Sequence, residues 1–552
     1  MIGLNKIGLN QVQLNRLRLN APFPTCRKMA GGGGSSDGFP QLPGDVTRWH
    51  FGGLTNEMMA AMDDPRIEDA DHKGRFLSFK NFAWKGMSGV GGYGDENYQT
   101  FYKFTLDDYV FIASPPGVEH MNFTFRVTGL QPGNKLTLAF FGTTNTVYGT
   151  WDKDGIYTVD ADIVEAGKPT YFYNGYGATR GEFTIEILPL YPGALVFDGV
   201  DDYGVCNNFP ILTKEKGYTV VALRQWIEEK NDSTALVSNC KNWGQNGAFL
   251  FEYNNLRINF LNVAISFGYV SSVDRGKSPF SYQTSKLYNG KNIEPGSLIG
   301  SNELIVGKGN KDFPTFSKAA IWELVFLDHD ATEEELTKIK DYFVKTYPWL
   351  FPDQAWTVVG KTNEDEDRAT IANITGNGND LVLSNFGFIE GSGYNKEGEY
   401  AGYLVTDGVD DEVRSAAFTL NEDWTIVGNW EFITNENKNA GLTKVYSFYL
   451  YNRDYGIFVY KYINAGQGFS VEDVKSLKAI CSDGRIYLND WQEIRNNIEQ
   501  EATISKGVMA IGYFNRDFTK MAFKNLGIYN NQLLSKDECI KAYSYLQTLK
   551  AK

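Results

Sequence analysis

We predict an all-β chain in which a basic N-terminal anchoring arm precedes three β-sandwich domains. Glycine contributes 57 of the 552 residues, above the usual ~7%, and alternating apolar runs are common while runs of strong helix formers are scarce. Hydrophobic residues make up 42% of the chain, which argues against intrinsic disorder. The length corresponds to three or four domains at roughly 150 residues each.

The first twenty residues repeat with a period of five, and every unit closes on Leu-Asn. The repeated pairs are Leu4 and Asn5, Leu9 and Asn10, Leu14 and Asn15, and Leu19 and Asn20. A period of five fits neither a helix nor an alternating strand, whereas Asn tolerates the left-handed conformation of corners. Two readings stay open: one coil of a square β-solenoid, which needs a partner to bury its apolar row, or an extended basic arm. Both predict an attachment element.

Five regions follow the arm of residues 1–30. Residues 31–47 begin with a Gly-Ser tract typical of a flexible linker, although an expression scar would look the same. A run of alternating strands without a helical pattern predicts a first sandwich. The predicted boundaries are 48–192 for that sandwich, 193–352 for a second, 353–401 for a connecting segment and 402–552 for a third.

Two long-range repeats support this division. An Asp-Gly-Val-Asp-Asp element at 198–202 recurs at 407–411, and an upstream Asn-Phe element, the opener, occurs at 74–89 and again at 378–393. Both large blocks end in a capping box, at Thr332 and at Ser535, followed by apolar residues spaced for one helical face. The last two domains are therefore predicted to be repeats that each end in a short helix.

Charge and composition exclude several classes of partner. The net charge of -14 argues against nucleic acid and anionic membrane surfaces. Residues 1–36 contain five basic residues and no acidic one. The chain has no run of 18 apolar residues that would predict a membrane span. The five cysteines are far apart and show no disulfide or zinc spacing. No cofactor is predicted.

The element Leu195-Val-Phe-Asp-Gly-Val-Asp-Asp-Tyr203, with its later strands and capped helix, resembles the LamG-like or concanavalin A-like jelly roll. The resemblance covers about 193–350 and 402–549, and the second copy departs from it at Thr406 and Glu412. It implies a sandwich fold shared by lectins, glucanases and structural spacers, so it does not by itself assign a function.

A second resemblance concerns the N-terminal Ile-Gly-Leu-Asn repeat together with the segments 361–368 and 373–378. These segments are similar to virion proteins of Bacteroides bacteriophages, especially the crAss-like group. The resemblance implies a virion location and a fibre whose N-terminal arm sits on the particle.

The sequence predicts no enzyme. A glucanase of the jelly-roll family should carry Glu-x-Asp-x-x-Glu on one strand, and the nearest match, from Glu182 to Glu186, lacks the Asp and is one residue short. The four histidines are scattered and form no nucleophile or metal pattern. A glycoside hydrolase with an unrecognised site is the remaining enzymatic alternative.

Two sets of residues are candidate binding sites, each with a structural alternative. Three carboxylates in each repeat offer hard oxygen ligands to Ca²⁺, although Asp side chains in Asp-Gly turns commonly cap their own backbone. These are Asp198, Asp201, Asp202, Asp407, Asp410 and Asp411. Aromatics beside Asn, Gln and Gly suit sugar rings, although they also brace hairpins or interfaces. These are Tyr173, Tyr176 and Trp243.

Taken together, these patterns predict a non-enzymatic phage virion protein of the head-fibre or capsid-decoration type. It is expected to form a homo-oligomer and to bind other virion proteins through residues 1–30. The alternative function is a tail fibre or adhesin that binds host-surface carbohydrate.

Overall fold

The computed structural model describes most of the chain from residue 37 onward. The described ranges are 37–93, 101–104, 109–113, 120–140, 146–162, 169–175, 182–213, 215–228, 234–239, 249–253, 278–292, 301–309, 315–433, 440–445, 448–453, 456–460, 468–472, 477–495, 505–511, 513–514, 517–518 and 520–551. The predicted arm of residues 1–30, with its eight Leu and Asn positions, lies outside them, as do Tyr176 and Trp243.

The first large sandwich begins directly after the linker. Its opening stretch contains β1 (Val46–His50), α1 (Asn56–Ala60), β2 (Arg66–Glu68), β3 (Phe76–Lys80) and β4 (Gly89–Val90). The chain then leaves it to build a smaller, inserted sandwich. That sandwich contains β5 (Phe101–Phe104), β6 (Tyr109–Ala113), β7 (His120–Thr128), β8 (Lys135–Phe140), β9 (Thr146–Trp151), β10 (Gly155–Asp162), β11 (Pro169–Gly175) and β12 (Phe183–Leu188).

The chain returns to complete the first large sandwich. The returning strands are β13 (Leu195–Asp198), β14 (Tyr203–Cys206), β15 (Thr219–Glu228), β16 (Val237–Ser238), β17 (Leu250–Phe251), β18 (Phe280–Thr284), β19 (Leu287–Tyr288), β20 (Lys291–Asn292), β21 (Leu304–Val306) and β22 (Lys318–Leu327). The stretch ends in α2 (Glu333–Thr346) and a 3₁₀ turn at Pro348–Leu350.

The second large sandwich is continuous in sequence. Its first nine strands are β23 (Gln354–Thr357), β24 (Thr370–Ile371), β25 (Leu381–Ser384), β26 (Gly393–Tyr394), β27 (Leu404–Val405), β28 (Glu412–Leu420), β29 (Trp424–Phe432), β30 (Ala440–Val445) and β31 (Phe448–Arg453). The rest are β32 (Gly456–Tyr460), β33 (Gly468–Glu472), β34 (Leu477–Cys481), β35 (Arg485–Leu488), β36 (Glu493–Arg495), β37 (Ser505–Ile511), β38 (Tyr513–Phe514), β39 (Asp517–Phe518) and β40 (Met521–Asn530), followed by α3 (Lys536–Gln547).

The strand pairings confirm the predicted all-β class, and every strand pair within the described residues is antiparallel. In the first large sandwich one sheet runs β20-β19-β18-β15-β22-β13-β4, with β1 also paired to β22, and the other runs β17-β16-β21-β14-β3-β2. In the inserted sandwich the sheets run β10-β7-β12-β5 and β6-β11-β8-β9. In the second large sandwich they run β26-β27-β40-β29-β34-β35-β36, with β23 also on β40, and β24-β25-β28-β37-β30-β31-β32-β33.

These pairings shift the predicted domain boundaries. Strand β1 pairs with β22, β3 with β14 and β4 with β13, so the boundary at 192/193 separates strands that share a sheet. Only the part of 48–192 after β4 forms its own sandwich. The segment predicted as a connector, 353–401, contributes β23 to β26 to the second large sandwich. Sequence patterning missed this because strand pairing between distant segments leaves no local signal.

The sheet that holds β22 is covered on both faces. All nine residues from 319 to 327 are buried, because one face packs into the sandwich core and the other packs on α2. The capping box predicted at Thr332 forms: its Oγ1 accepts the Glu335 N–H at 3.2 Å, and its own N–H donates to Glu335 Oε2 at 2.7 Å. The same box forms at Ser535 of the second large sandwich.

Helices α2 and α3 and the 3₁₀ turn form one apolar layer between the two large sandwiches. Buried side chains from both sides, including Phe343, Leu350 and Leu546, belong to a single cluster. The Tyr529 hydroxyl donates to Trp349 O at 2.9 Å across this layer. We call this layer the seam. None of the helices in the described ranges is long and apolar enough to cross a bilayer.

The inserted sandwich also touches the second large sandwich. The Ile156 N–H donates to Asp490 O at 3.1 Å, and Lys153 Nζ lies 2.5 Å from Asp490 Oδ2. The ion pair is partly exposed and adds little by itself. The backbone hydrogen bond joins the inserted sandwich directly to the second large one.

Candidate functional site

The two Asp-Gly-Val-Asp-Asp turns are folded in the same way. In the first, Asp198 Oδ1 accepts the Val200 N–H at 2.7 Å, and Asp202 Oδ2 accepts the Asp198 N–H at 3.1 Å. In the second, the corresponding distances from Val409 to Asp407 and from Asp407 to Asp411 are 2.7 and 2.8 Å. Each turn therefore caps its own backbone with its first and last carboxylates.

Glycine is required at the second position of both turns. Gly199 and Gly408 each have φ of +78°, a left-handed conformation that L side chains rarely adopt. A Cβ on Gly199 would lie 2.8 Å from Lys318 Cβ, and one on Gly408 would lie 2.8 Å from Lys520 N. The first turn is thus pressed against Lys318, the first residue of β22, and the second against Lys520, which precedes β40.

A serine from the opener closes each turn. Ser88 Oγ donates to Asp202 Oδ1 at 2.9 Å and itself accepts the Ala83 N–H at 2.8 Å. Asn81 Nδ2 donates to Asp201 O at 3.1 Å. We call this arrangement the clasp, because it ties two segments that are distant in sequence.

The second large sandwich contains the same clasp. Ser392 Oγ donates to Asp411 Oδ1 at 3.1 Å, and Asn385 Nδ2 donates to Asp410 O at 3.0 Å. Asn81 and Asn385 both have φ of +68°, which Asn tolerates better than most residues. The sequence separation between the two openers differs from that between the two turns. The reason is that the inserted sandwich lies between opener and turn in the first large sandwich only.

Burial controls the charge of the clasp. Asp202 and Asp411 are fully buried. Burial, reinforced by the neighbouring Asp198 charge, raises the pKa of Asp202 to about 8. Burial also raises the pKa of Asp411 to about 6. Around neutral pH, therefore, Asp202 is held mainly in its protonated form.

The three carboxylates of each turn lie close enough to share a cation. One carboxylate oxygen from each lies within 4.8 Å of the other two, both in the first turn and in the second. However, both oxygens of Asp202 are already hydrogen-bonded, to Ser88 and to the Asp198 backbone. These contacts match the turn-capping alternative, and the six carboxylates stay candidates for Ca²⁺ that nothing here tests.

Of the three predicted sugar-binding aromatics, only Tyr173 lies within the described residues. Tyr173 lies in β11, where its backbone is in register with Tyr109 and Thr137. Tyr176 and Trp243 fall outside the described residues. The sugar-binding role of these three residues stays a prediction.

A buried ion pair in the first large sandwich had no sequence signal. Arg224 Nε lies 2.9 Å from Glu252 Oε2, and Arg224 Nη2 lies 2.5 Å from Glu252 Oε1. Trp226 Nε1 and the Tyr288 hydroxyl donate to the same carboxylate at 2.6 and 3.2 Å. Burial alone would raise the pKa of Glu252, but the Arg224 guanidinium outweighs it and lowers that pKa.

A second buried network joins the sheet to α2. Glu323 accepts from Arg48 Nη1 at 2.9 Å and from the Tyr347 hydroxyl at 3.0 Å. Arg48 also donates to the Tyr342 hydroxyl at 3.0 Å. Because Arg48 comes from β1, this network holds the N-terminal strand on the sandwich.

Comparisons with known proteins give only distant likenesses. No protein-family model and no curated protein matches the chain. Among solved structures, Trypanosoma rangeli sialidase in complex with sialic acid matches at 10% identity and a TM-score of 0.25, over 72% of this chain and 68% of that one. The same sialidase alone matches at 9% identity and a TM-score of 0.25, over 75% and 66%.

A third match is a structure of botulinum neurotoxin type C, a protein whose cell entry depends on interaction with two ganglioside molecules. It aligns at 9% identity and a TM-score of 0.18, over 62% of this chain and 93% of that one.

Since sialidases are enzymes, the two sialidase matches do not agree with the prediction of a chain without catalytic activity, and we withdraw that prediction. TM-scores this low assign no reaction, ligand or family to this chain.

Proposed function

We propose that this chain is a structural protein of a phage particle, of the head-fibre or capsid-decoration type. In this proposal the basic arm of residues 1–30 attaches the chain to other virion proteins and brings copies of it together. The three sandwiches form the body that projects from the particle. The similarity of the arm and of segments 361–368 and 373–378 to crAss-like virion proteins supports this assignment.

The seam is the observation that carries the proposal. Domains joined by small polar interfaces move relative to each other, whereas large apolar interfaces hold them together. Here Phe343 and Leu350 of the first large sandwich and Leu546 of the second lie in one buried cluster. Gln225 Nε2 also donates to Thr548 Oγ1 at 2.9 Å across the seam. A body built in this way keeps its shape when it is held at one end, as a projecting fibre requires.

Attachment is tested with the full chain and a version that lacks residues 1–36. Both proteins are mixed with phage particles stripped of this component and are sedimented, and their masses in solution are measured by light scattering. We expect the full chain to co-sediment and to form a defined oligomer, and the truncated chain to do neither. Co-sedimentation of the truncated chain at the same level would contradict attachment through the arm.

A further inference from the structure

Two cysteines that are far apart in sequence lie close together in the seam. Cys481 is the last residue of β34, and Cys539 lies near the start of α3. Both belong to the buried cluster that forms the seam. Both are free thiols in the structure, as is Cys206 of the first large sandwich. The spacing of the cysteines in the sequence did not indicate this pair.

One carbonyl oxygen brings the two sulfur atoms together. Cys481 Sγ lies 4.0 Å from Leu534 O, and Cys539 Sγ lies 3.9 Å from the same oxygen. Leu534 is held in place because its N–H donates to Thr425 Oγ1 at 3.0 Å, and Thr425 is in register with Cys481 on the neighbouring strand β29. The Cys481 thiol, followed by burial, raises the pKa of the Cys539 thiol well above its usual value. The two thiols therefore interact at a fixed point between β34 and α3.

Burial of this pair affects how fast it reacts. Cys481 is 2% exposed and Cys539 is 0% exposed, so a reagent from solvent does not reach the thiols in the closed structure. The raised pKa also keeps the reactive thiolate form scarce. Buried groups nevertheless become accessible through local opening, which requires less free energy than global unfolding. Access therefore sets the rate of a reaction between the two thiols, whereas their closeness in the folded state favours its product.

We propose that Cys481 and Cys539 form a disulfide, with a small disulfide such as oxidised glutathione as the oxidant. While α3 is open, the Cys539 thiolate attacks one sulfur of oxidised glutathione, which forms a mixed disulfide and releases one glutathione thiolate. The Cys481 thiolate then attacks Cys539 Sγ, which forms the protein disulfide and releases the second glutathione. The two protein thiols are oxidised, and the glutathione disulfide is reduced to two thiols that take up the two protons.

The crosslink fastens α3 to β34 within the seam, where Leu546 of the same helix is also buried. Disulfides are rare in a reducing cytosol and persist in oxidising surroundings outside the cell. The pair is therefore expected to stay reduced inside the cell and to lock the seam after release. This timing rests on the proposed function as part of a phage particle, whereas the crosslink itself concerns only the folded chain.

The test incubates the full, reduced chain with oxidised glutathione at mildly alkaline pH, with and without urea below the unfolding transition. The urea increases local opening. Unreduced peptides are mapped by mass spectrometry. Cys206→Ser is the matched control, because Cys206 is also buried but lies in the other large sandwich. We expect the wild type and the control to yield a peptide that links Cys481 to Cys539.

Thermal unfolding provides the second measurement. Oxidation should raise the unfolding midpoint of the wild type and of Cys206→Ser by roughly 5 °C or more. It should leave the midpoints of Cys481→Ser and Cys539→Ser unchanged, because neither variant can form the crosslink. The midpoints of the reduced variants reveal a serine variant that fails to fold, and the peptide map of the wild type does not depend on either variant.

The proposal is overturned if the linked peptide is absent both with and without urea, because access then no longer explains the failure. It is also overturned if Cys481 and Cys539 are recovered mainly as mixed disulfides with glutathione. A linked wild type whose midpoint does not rise would contradict the locking of the seam. Loss of particle attachment by the truncated chain leaves all of these results unchanged, so the two proposals fail separately.

Discussion

Ser88 Oγ donates a hydrogen bond to Asp202 Oδ1 at 2.9 Å, although 114 residues separate them in the chain. The equivalent pair in the second large sandwich, Ser392 and Asp411, is only 19 residues apart. The inserted sandwich lies between the first pair and leaves its geometry intact. The clasp is therefore a feature of the folded sandwich and is independent of loop length, as expected when loop-closure entropy grows slowly with length.

Removing the serine should destabilise each clasp. Ser88→Ala leaves the buried Asp202 Oδ1 without its hydrogen-bond partner, so we expect the free energy of unfolding to fall by about 1–3 kcal/mol. Ser392→Ala should have an effect of the same sign. Urea unfolding followed by tryptophan fluorescence measures both. Thr337→Ala, on the exposed face of α2, is the control and should change the stability by less than ~0.5 kcal/mol. Equal stability of Ser88→Ala and the control would contradict the clasp.

The raised pKa of Asp202 makes stability depend on pH. The folded chain retains this proton up to about pH 8, whereas the unfolded chain releases it near ~3.9. The folded state thus binds more protons in this window, so its stability should be highest below pH 4 with respect to this group and fall as the pH rises towards 8. Urea midpoints of the wild type at pH 5 and pH 8 measure the decrease.

Asp202→Asn provides the control for that prediction. An amide keeps an oxygen for the Asp198 N–H and can donate to Ser88 Oγ, but it cannot ionise. We expect the difference between pH 5 and pH 8 to be smaller in this variant than in the wild type. An unchanged pH dependence would show that other groups cause it. Asp411→Asn should remove a decrease in stability that is confined to lower pH, since the pKa of Asp411 is about 6.

Removing one partner of the buried ion pair should lower the stability more than replacing both partners by apolar residues. Glu252→Met leaves the Arg224 guanidinium buried without its counter-charge, and loss of one partner typically lowers stability by about 3–5 kcal/mol. The double variant Arg224→Met with Glu252→Met buries no charge and should be more stable than either single variant. Thermal unfolding of the wild type, the two single variants and the double variant forms a double-mutant cycle, which gives the interaction energy of the two side chains. Additive effects of the two single changes would refute a direct interaction.

Steric contact at the second turn can be separated from backbone strain. Gly408 and Gly402 both have φ of +78°, but only Gly408 faces a close neighbour, Lys520 N at 2.8 Å, whereas nothing lies within 4 Å at Gly402. Both alanine variants should lose about 1–2 kcal/mol through the left-handed backbone, and Gly408→Ala should lose measurably more. Calorimetric unfolding compares them directly. Identical midpoints would mean that the turn moves away from the strand without loss of stability.

Repeats and local patterns were sufficient to predict the fold class and much of the turn chemistry. The Asp-Gly elements predicted turns that cap themselves, and the contacts of Asp198 and Asp407 are of that kind. The capping boxes at Thr332 and Ser535 formed as predicted, because each depends on residues only three positions apart. These features are local, so the order of the residues specifies them without reference to the rest of the chain.

The tertiary structure decided which segments share a sheet and which polar groups meet in the interior. The pairing of β1 with β22, the partnership of Arg224 with Glu252, and the contact of Gln532 with Phe351 all join residues far apart in sequence. Alternating strands specify which face is buried but not which strand lies alongside, since many antiparallel pairings satisfy the same pattern. The sequence by itself therefore determined the duplicated sandwiches and their turns, whereas packing determined the inserted domain, the clasp and the seam.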